Sequence, residues 1–175
     1  MYVSYRRELE VQKALDKAGV ESFVPMIRVT ERINKKIVHS LRPAIHNLIF
    51  VHSHRAQLRE LKMFNRDCAP MQYMTVRSHD GIQPSEVITV PDRQMQQFMR
   101  AMTVDGADDH RTFLPFTDFI GKEGREATFV NGPFQGISGT VKRIGKNRFV
   151  VIVLQHVGAL AITIDHSTDL IFTEE

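Results

Sequence analysis

The chain has a single cysteine, Cys68, among its 175 residues, so neither an internal disulfide framework nor a thiolate zinc site can be built. No run approaches the roughly 20 apolar residues needed to cross a bilayer. The opening Met1-Tyr2-Val3-Ser4-Tyr5-Arg6-Arg7 lacks the basic-then-apolar layout of a secretory signal. These absences predict a soluble protein of a reducing cytoplasm with no membrane contact. Catalytic signatures are missing too: there is no nucleophile elbow, phosphate loop, dinucleotide fingerprint or paired-carboxylate pattern. Cys68 lies in Asn65-Arg66-Asp67-Cys68-Ala69-Pro70, which reads as a loop with no helix start to activate a thiolate. His52 and His54 would share one face of a strand, and His39 and His46 lie nearby. A tetrahedral metal needs third and fourth ligands fixed in space, and nothing indicates them. The chain is therefore expected to be no enzyme and to hold no metal and no cofactor. Charge of one sign is also in short supply, for the net charge is only +3 with a pI near 9.2. Such mild basicity permits nucleic-acid contact without demanding it. Internal repeats and low-complexity tracts are absent.

What is present is an ordinary globular composition, 42% hydrophobic and 25% charged, which excludes a disordered tail and supplies a core. Tyr2-Val3-Ser4-Tyr5 is rich in strand formers. From Arg7 to Ala18, Val11, Ala14, Leu15 and Ala18 mark one helical face, and Gly19 stands where a C-terminal cap is wanted. Residues 20 to 52 turn to strand signals. Arg28-Val29-Thr30-Glu31-Arg32-Ile33 alternates, Asn34-Lys35 makes a turn, and Lys36-Ile37-Val38-His39 returns. Leu48-Ile49-Phe50-Val51 is a short buried strand. Ser53 is placed to cap a helix over about 54–64, with Leu58, Leu61 and Met63 as its apolar members. Two short strands follow at 71–76 and 86–90. Pro91 and Asp92 then open a helix whose Met95, Phe98, Met99 and Met102 form one stripe.

Periodicity fades after Met102. Residues 103–117, with Asp105, Gly106, Asp108, Asp109 and Pro115, read as an acidic linker. From Phe119 onward only short strands with Gly, Asn and Asp between them are visible, the spacing of a small β-barrel. The expected fold class is an α+β N-terminal domain, an antiparallel sheet with helices on its faces, over 1–102. An all-β SH3-like barrel then occupies 118–175.

One string is distinctive. Phe129-Val130-Asn131-Gly132-Pro133-Phe134-Gln135-Gly136-Ile137-Ser138-Gly139-Thr140-Val141 resembles a KOW motif, carried by Asn131, Gly132, Pro133, Phe134, Gly136 and Gly139. Gly132-Pro133 sets a tight turn, Phe134 folds back, and Gly136 and Gly139 allow a backbone path closed to residues with a Cβ. Asn147 to Val153 and Ala161 to Asp165 resemble the central and last strands of that module. Gln155-His156-Val157-Gly158 departs from the Phe-Gly-Arg of general members. The N-terminal half resembles a NusG N-terminal domain through Tyr2-Val3, the helix end Ala14-Leu15-Asp16-Lys17-Ala18-Gly19-Val20, and Glu21-Ser22-Phe23-Val24-Pro25. His46-Asn47-Leu48-Ile49-Phe50-Val51 stands where the family has a Pro-Gly-aromatic strand, with Asn47 replacing glycine because Asn tolerates positive φ. Val90-Pro91-Asp92 with Met95, Phe98 and Met99 resembles the domain's last helix. Arg42-Pro43, His46-Asn47 and Val90-Pro91-Asp92 look closest to the UpxY-type antiterminators of surface-polysaccharide operons.

The NusG resemblance implies a bacterial, cytoplasmic transcription elongation or antitermination factor; its oligomeric state is left open by the sequence, with a monomer the simplest expectation. Its N-terminal domain would bind the clamp helices of the largest RNA polymerase subunit through Tyr2, Tyr5, Ile45, Leu48 and Phe50, with plain core packing as the competing role for each. Arg28, Arg32, Lys35, Lys36 and Arg42 would contact non-template DNA or nascent RNA, or else form a solvated hairpin face. Lys142, Arg143, Lys146 and Arg148 would touch RNA or guard a strand edge. The KOW module would recruit a ribosomal protein or a termination factor. Its β-branched strands argue for a constitutive barrel over a helical hairpin. The alternative is a KOW-containing RNA- or ribosome-binding protein that never meets polymerase. A third reading is a regulator that competes with its own paralogues for polymerase.

Overall fold

The computed structural model describes residues 1–76, 85–114 and 124–173, with the side chain of Ile33 set aside. The chain divides into two compact units, Met1–Ile88 and Thr89–Glu175.

In the first unit, β1 (Tyr2–Val3) leads through a 3₁₀ turn (Ser4–Arg6) into α1 (Glu8–Lys17). The helix stops where Gly19 was expected to stop it: the Val20 N–H donates to Leu15 O and the Gly19 N–H to Asp16 O, each at 3.0 Å. This double closure satisfies carbonyls that the last turn leaves open. β2 (Glu21–Phe23), β3 (Met26–Ile33), β4 (Lys36–Pro43) and β5 (Phe50–His52) follow, then α2 (Arg55–Phe64), β6 (Met71–Gln72), β7 (Thr75–Val76) and β8 (Glu86–Val87). β1 pairs with β6, β2 with β5, β3 with β4 and β7 with β8, all antiparallel. An isolated bridge between Tyr2 and Leu48 joins β1 to the entry of β5. One side of these strands packs on α1: Val3, Ile49 and Met71 are buried with Val11, Ala14, Leu15, Val20, Val24 and Cys68. The β3–β4 hairpin turns over Asn34 and Lys35, at φ 50° and 64°, the left-handed pair that a two-residue hairpin loop requires.

Two local expectations need correcting. Ser53 does not cap α2, for no side chain caps that helix and the Ser53 hydroxyl donates instead to Gln57 Oε1. Met63 is 67% exposed, and Leu58 alone of the expected stripe is fully buried.

The second unit begins with α3 (Asp92–Met102), a 3₁₀ turn (Asp108–His110) and β9 (Arg111–Leu114). β10 (Glu126–Phe129), β11 (Ser138–Ile144), β12 (Asn147–Leu154), β13 (Gly158–Thr163) and β14 (Leu170–Phe172) complete it. They form one antiparallel six-stranded sheet in the order β14-β10-β11-β12-β13-β9. Consecutive burial of Val150, Val151 and Ile152, and of Ala159 through Ile162, shows that β12 and β13 are covered on both faces. α3 packs against β12, buries Phe98, Ala101 and Met102, and sets Phe98 edge-on to Phe113 with centroids 6.4 Å apart. The Arg111 guanidinium donates to the carbonyls of Ala101 (2.8 Å) and Met102 (2.6 Å) and to Asp108 Oδ1 (2.6 Å). Cationic donors at open carbonyls are what a helix C-terminus favours.

Thus part of the stretch that composition marks as linker is an ordered edge strand, and the helix expected to close the first domain packs within the second unit. The remainder of that stretch, 115–117, and the start of the expected barrel, 118–123, lie outside the described residues. No described helix is long and apolar enough to cross a membrane.

Candidate functional site

Antiparallel partners point to the same side of a sheet. Tyr2 and Leu48, paired across the bridge, therefore share a face with Phe50 two residues on, opposite the face that packs on α1. Leu48 and Phe50 are buried there, at 5% and 9% exposure, while Tyr2 is 43% exposed. Ile45 is half-buried in the loop between β4 and β5. Tyr5 is 89% exposed, on a turn where it and Arg6 both hold positive φ, 63° and 54°. Of the five residues expected at a docking face, then, Tyr2, Tyr5 and Ile45 reach solvent and Leu48 and Phe50 sit beneath the surface.

The loop is tied down by Asn47, whose φ of 62° is the left-handed value for which Asn was expected to stand in for glycine. Its backbone N–H donates to Glu8 Oε1 (3.2 Å), its carbonyl accepts from the Val3 N–H (2.8 Å), and its Oδ1 accepts from the Arg6 N–H (2.9 Å). Glu8 is 1% exposed, and its Oε2 has no hydrogen-bond partner among the described residues. Beside this loop the Met1 amino group donates to Ile49 O at 2.6 Å, and burial lowers its pKa to about 6. Burial raises the Cys68 thiol above its ordinary value. Sequence reading missed Glu8, which looks like any first-turn carboxylate of a helix.

The five cations of the hairpin do not share one face. Arg28 and Arg32 lie opposite Leu41 and Ile37, with Thr30 and His39 hydrogen-bonded between them at 3.0 Å. Lys36 and Arg42 belong to the other side, where Arg42 makes a bidentate pair with Glu31, one arm at 2.7 Å. Lys35 stands at the turn. Ile37 and Leu41 are 68% and 63% exposed, so the Arg28–Arg32 face mixes charge with bare aliphatic surface.

In the second unit, the Asn131–Gly139 string forms a folded-back turn. The Phe129 N–H donates to Ile137 O, the Gly136 N–H returns to Phe129 O, and Phe134 is buried against Phe129 with centroids 5.7 Å apart. Gly136 has φ 77°. A Cβ on Gly139 would come within 2.7 Å of Val151 O, so the close strand approach requires glycine there. Asn131 ties the turn to the loop before β14, donating to Asp169 Oδ2 (2.6 Å) and accepting from the Asp169 N–H (3.0 Å). Lys142, Arg143, Lys146 and Arg148 gather at the β11–β12 hairpin, with Arg143 and Arg148 directly opposed. Both strands are internal to the sheet, which overturns the reading of these charges as edge protection.

Histidines have separate partners: His39 meets Thr30, His52 lies 3.0 Å from Glu21, and His46 lies 3.9 Å from Glu8. Among the described residues no three His, Cys, Asp or Glu side chains converge as metal ligands.

No curated protein matches the chain. The family model described as transcription termination factor nusG matches residues 1–99, the whole first unit and most of α3. That match takes in every candidate docking residue and the hairpin, and it covers more than half of the sequence: the chain belongs to the NusG family of transcription factors.

Proposed function

We propose that this protein binds RNA polymerase at the clamp helices of its largest subunit and carries elongation through pauses and terminators. The observation that carries the reading is the family match over residues 1–99. The exposure of Tyr5 and Tyr2 and the half-burial of Ile45 on one loop system add to it. Helix docking needs apolar side chains held on a rigid support. Here Tyr2, Tyr5 and Ile45 make the contact, and Leu48 and Phe50 form the floor that keeps them in place. Arg28, Arg32 and Lys35, with Lys36 and Arg42 on the hairpin's far side, lie along non-template DNA or nascent RNA. Their contacts hold without specifying sequence. The second unit acts as a KOW barrel that brings a ribosomal protein or a termination factor to high local concentration near the polymerase. The resemblance at Arg42-Pro43, His46-Asn47 and Val90-Pro91-Asp92 favours an operon-specific antiterminator for surface-polysaccharide genes.

The test is co-purification of the tagged chain with polymerase, with Ile45→Glu alongside. Polymerase retained by the wild type and lost by a folded Ile45→Glu supports the reading. If neither retains polymerase, the reading fails. The second reading, a KOW-type RNA- or ribosome-binding protein without polymerase, then takes its place. It is favoured by the opposed Arg143 and Arg148 on inner strands, which no edge-protecting role explains. It predicts RNA binding that weakens when those arginines are removed.

A further inference from the structure

Three residues other than glycine hold left-handed backbone in the first unit's docking region: Tyr5, Arg6 and Asn47. Such conformations persist only where surrounding contacts over-determine them, and they collect at functional sites. The contacts here are specific. Asn47 Oδ1 accepts the Arg6 N–H and so pins the turn that holds Tyr5 in solvent. The Asn47 N–H is held by Glu8 Oε1, and the Asn47 carbonyl by Val3. Every hydrogen-bonding group of the loop residue two places after Ile45, save its side-chain amide nitrogen, is thus committed to the β1–α1 junction.

Glu8 is the unexpected member. A carboxylate enclosed at 1% exposure, with one oxygen that has no partner among the described residues, is a poor choice for stability alone. With an apolar side chain there the partnerless oxygen would be gone, but the Asn47 N–H would lose its acceptor. Its placement is explained if a precise acceptor under Asn47 is what the site requires. We infer that Glu8 and Asn47 are positioning residues that together fix Tyr5 and Ile45 in the geometry that docks the polymerase. This inference rests on the docking reading above. Neither residue touches the partner. Glu8 acts through Asn47, and Asn47 acts through the turn and the loop on either side of it.

The experiment measures polymerase affinity of the full chain for wild type, Ile45→Glu, Glu8→Ala, Glu8→Gln and Asn47→Gly. Hydrogen exchange at Arg6 and Asn47 and urea unfolding are followed alongside. Glu8→Ala and Asn47→Gly are expected to weaken binding about tenfold or more, to speed exchange at Arg6 or Asn47, and to remain folded. Asn47→Gly keeps the left-handed backbone easily, so its loss of binding would report the missing Oδ1. Glu8→Gln retains an acceptor and is expected to restore most of the affinity. If Glu8→Ala and Asn47→Gly lose stability in urea yet bind like wild type when folded, while Ile45→Glu does not bind, the inference is overturned and docking stands. If wild type itself does not bind, docking is refuted and the inference falls with it.

Discussion

The Met1 amino group is the titrating group whose behaviour the structure defines most sharply. It donates to Ile49 O from inside the first unit, and burial lowers its pKa from 8.0 to about 6. The neutral amine keeps its hydrogen bond without the desolvation cost of a charge. Between these two values the unfolded chain binds more protons than the folded one, so stability must rise with pH. A shift of this size corresponds to about 2.7 kcal/mol, fully lost below the folded value, about half lost near neutrality, and recovered above the unfolded value. Urea unfolding of the chain beginning at Met1 from pH 5 to 9 reads the slope. The amine is also followed directly by NMR on methionine-labelled protein. An amine that titrates near 8, or stability that does not climb between about pH 6 and 8, would refute the burial argument.

Phe98→Ala removes the ring that joins α3 to Phe113 and is expected to cost about 3–5 kcal/mol. Urea denaturation monitored in the second unit would show it, with little effect on the first. Lys35→Gly relieves a left-handed lysine in a two-residue loop and should stabilise the hairpin by up to about 1 kcal/mol, while an unchanged salt dependence of DNA binding would remove Lys35 from the nucleic-acid surface. Arg143→Thr separates two directly opposed arginines and should stabilise by about 0.2–1 kcal/mol. If it also weakens RNA binding, the like-charge pair is kept for a ligand.

Much of this was legible in the sequence. α1 and its stop at Gly19, the Asn34-Lys35 turn, the buried Leu48–Phe50 run and the folded-back Phe134 all follow from periodicity and local backbone chemistry, which act over a few residues. What escaped depends on distance along the chain. β9 is four residues long, too short for any period, and it is a strand because β13 offers it an edge. Arg111 reads as an ordinary linker cation, yet in the fold it closes the end of α3. Met63 was expected among the apolar members of α2 and still stands in solvent, because apolar character says nothing of whether a partner surface exists. Glu8 escaped for the same reason, since its acceptor role is set by Asn47, 39 residues away.

The two charge clusters separate what composition lumps together. On the β3–β4 hairpin the alternation of a strand divides the cations between two faces, Lys36 and Arg42 on one with Arg42 paired to Glu31, and Arg28 and Arg32 on the other, flanked by bare Ile37 and Leu41. At the β11–β12 tip the register sets Arg143 against Arg148 with no edge to defend. Opposed like charges cost stability, and on inner strands protection of an edge does not account for them. An anionic ligand would repay that cost directly, since each phosphate met by an arginine releases condensed counterions. Of the two proposed nucleic-acid contacts, the opposed pair on the second unit is therefore the one whose removal is the sharper test, since edge protection no longer competes with it.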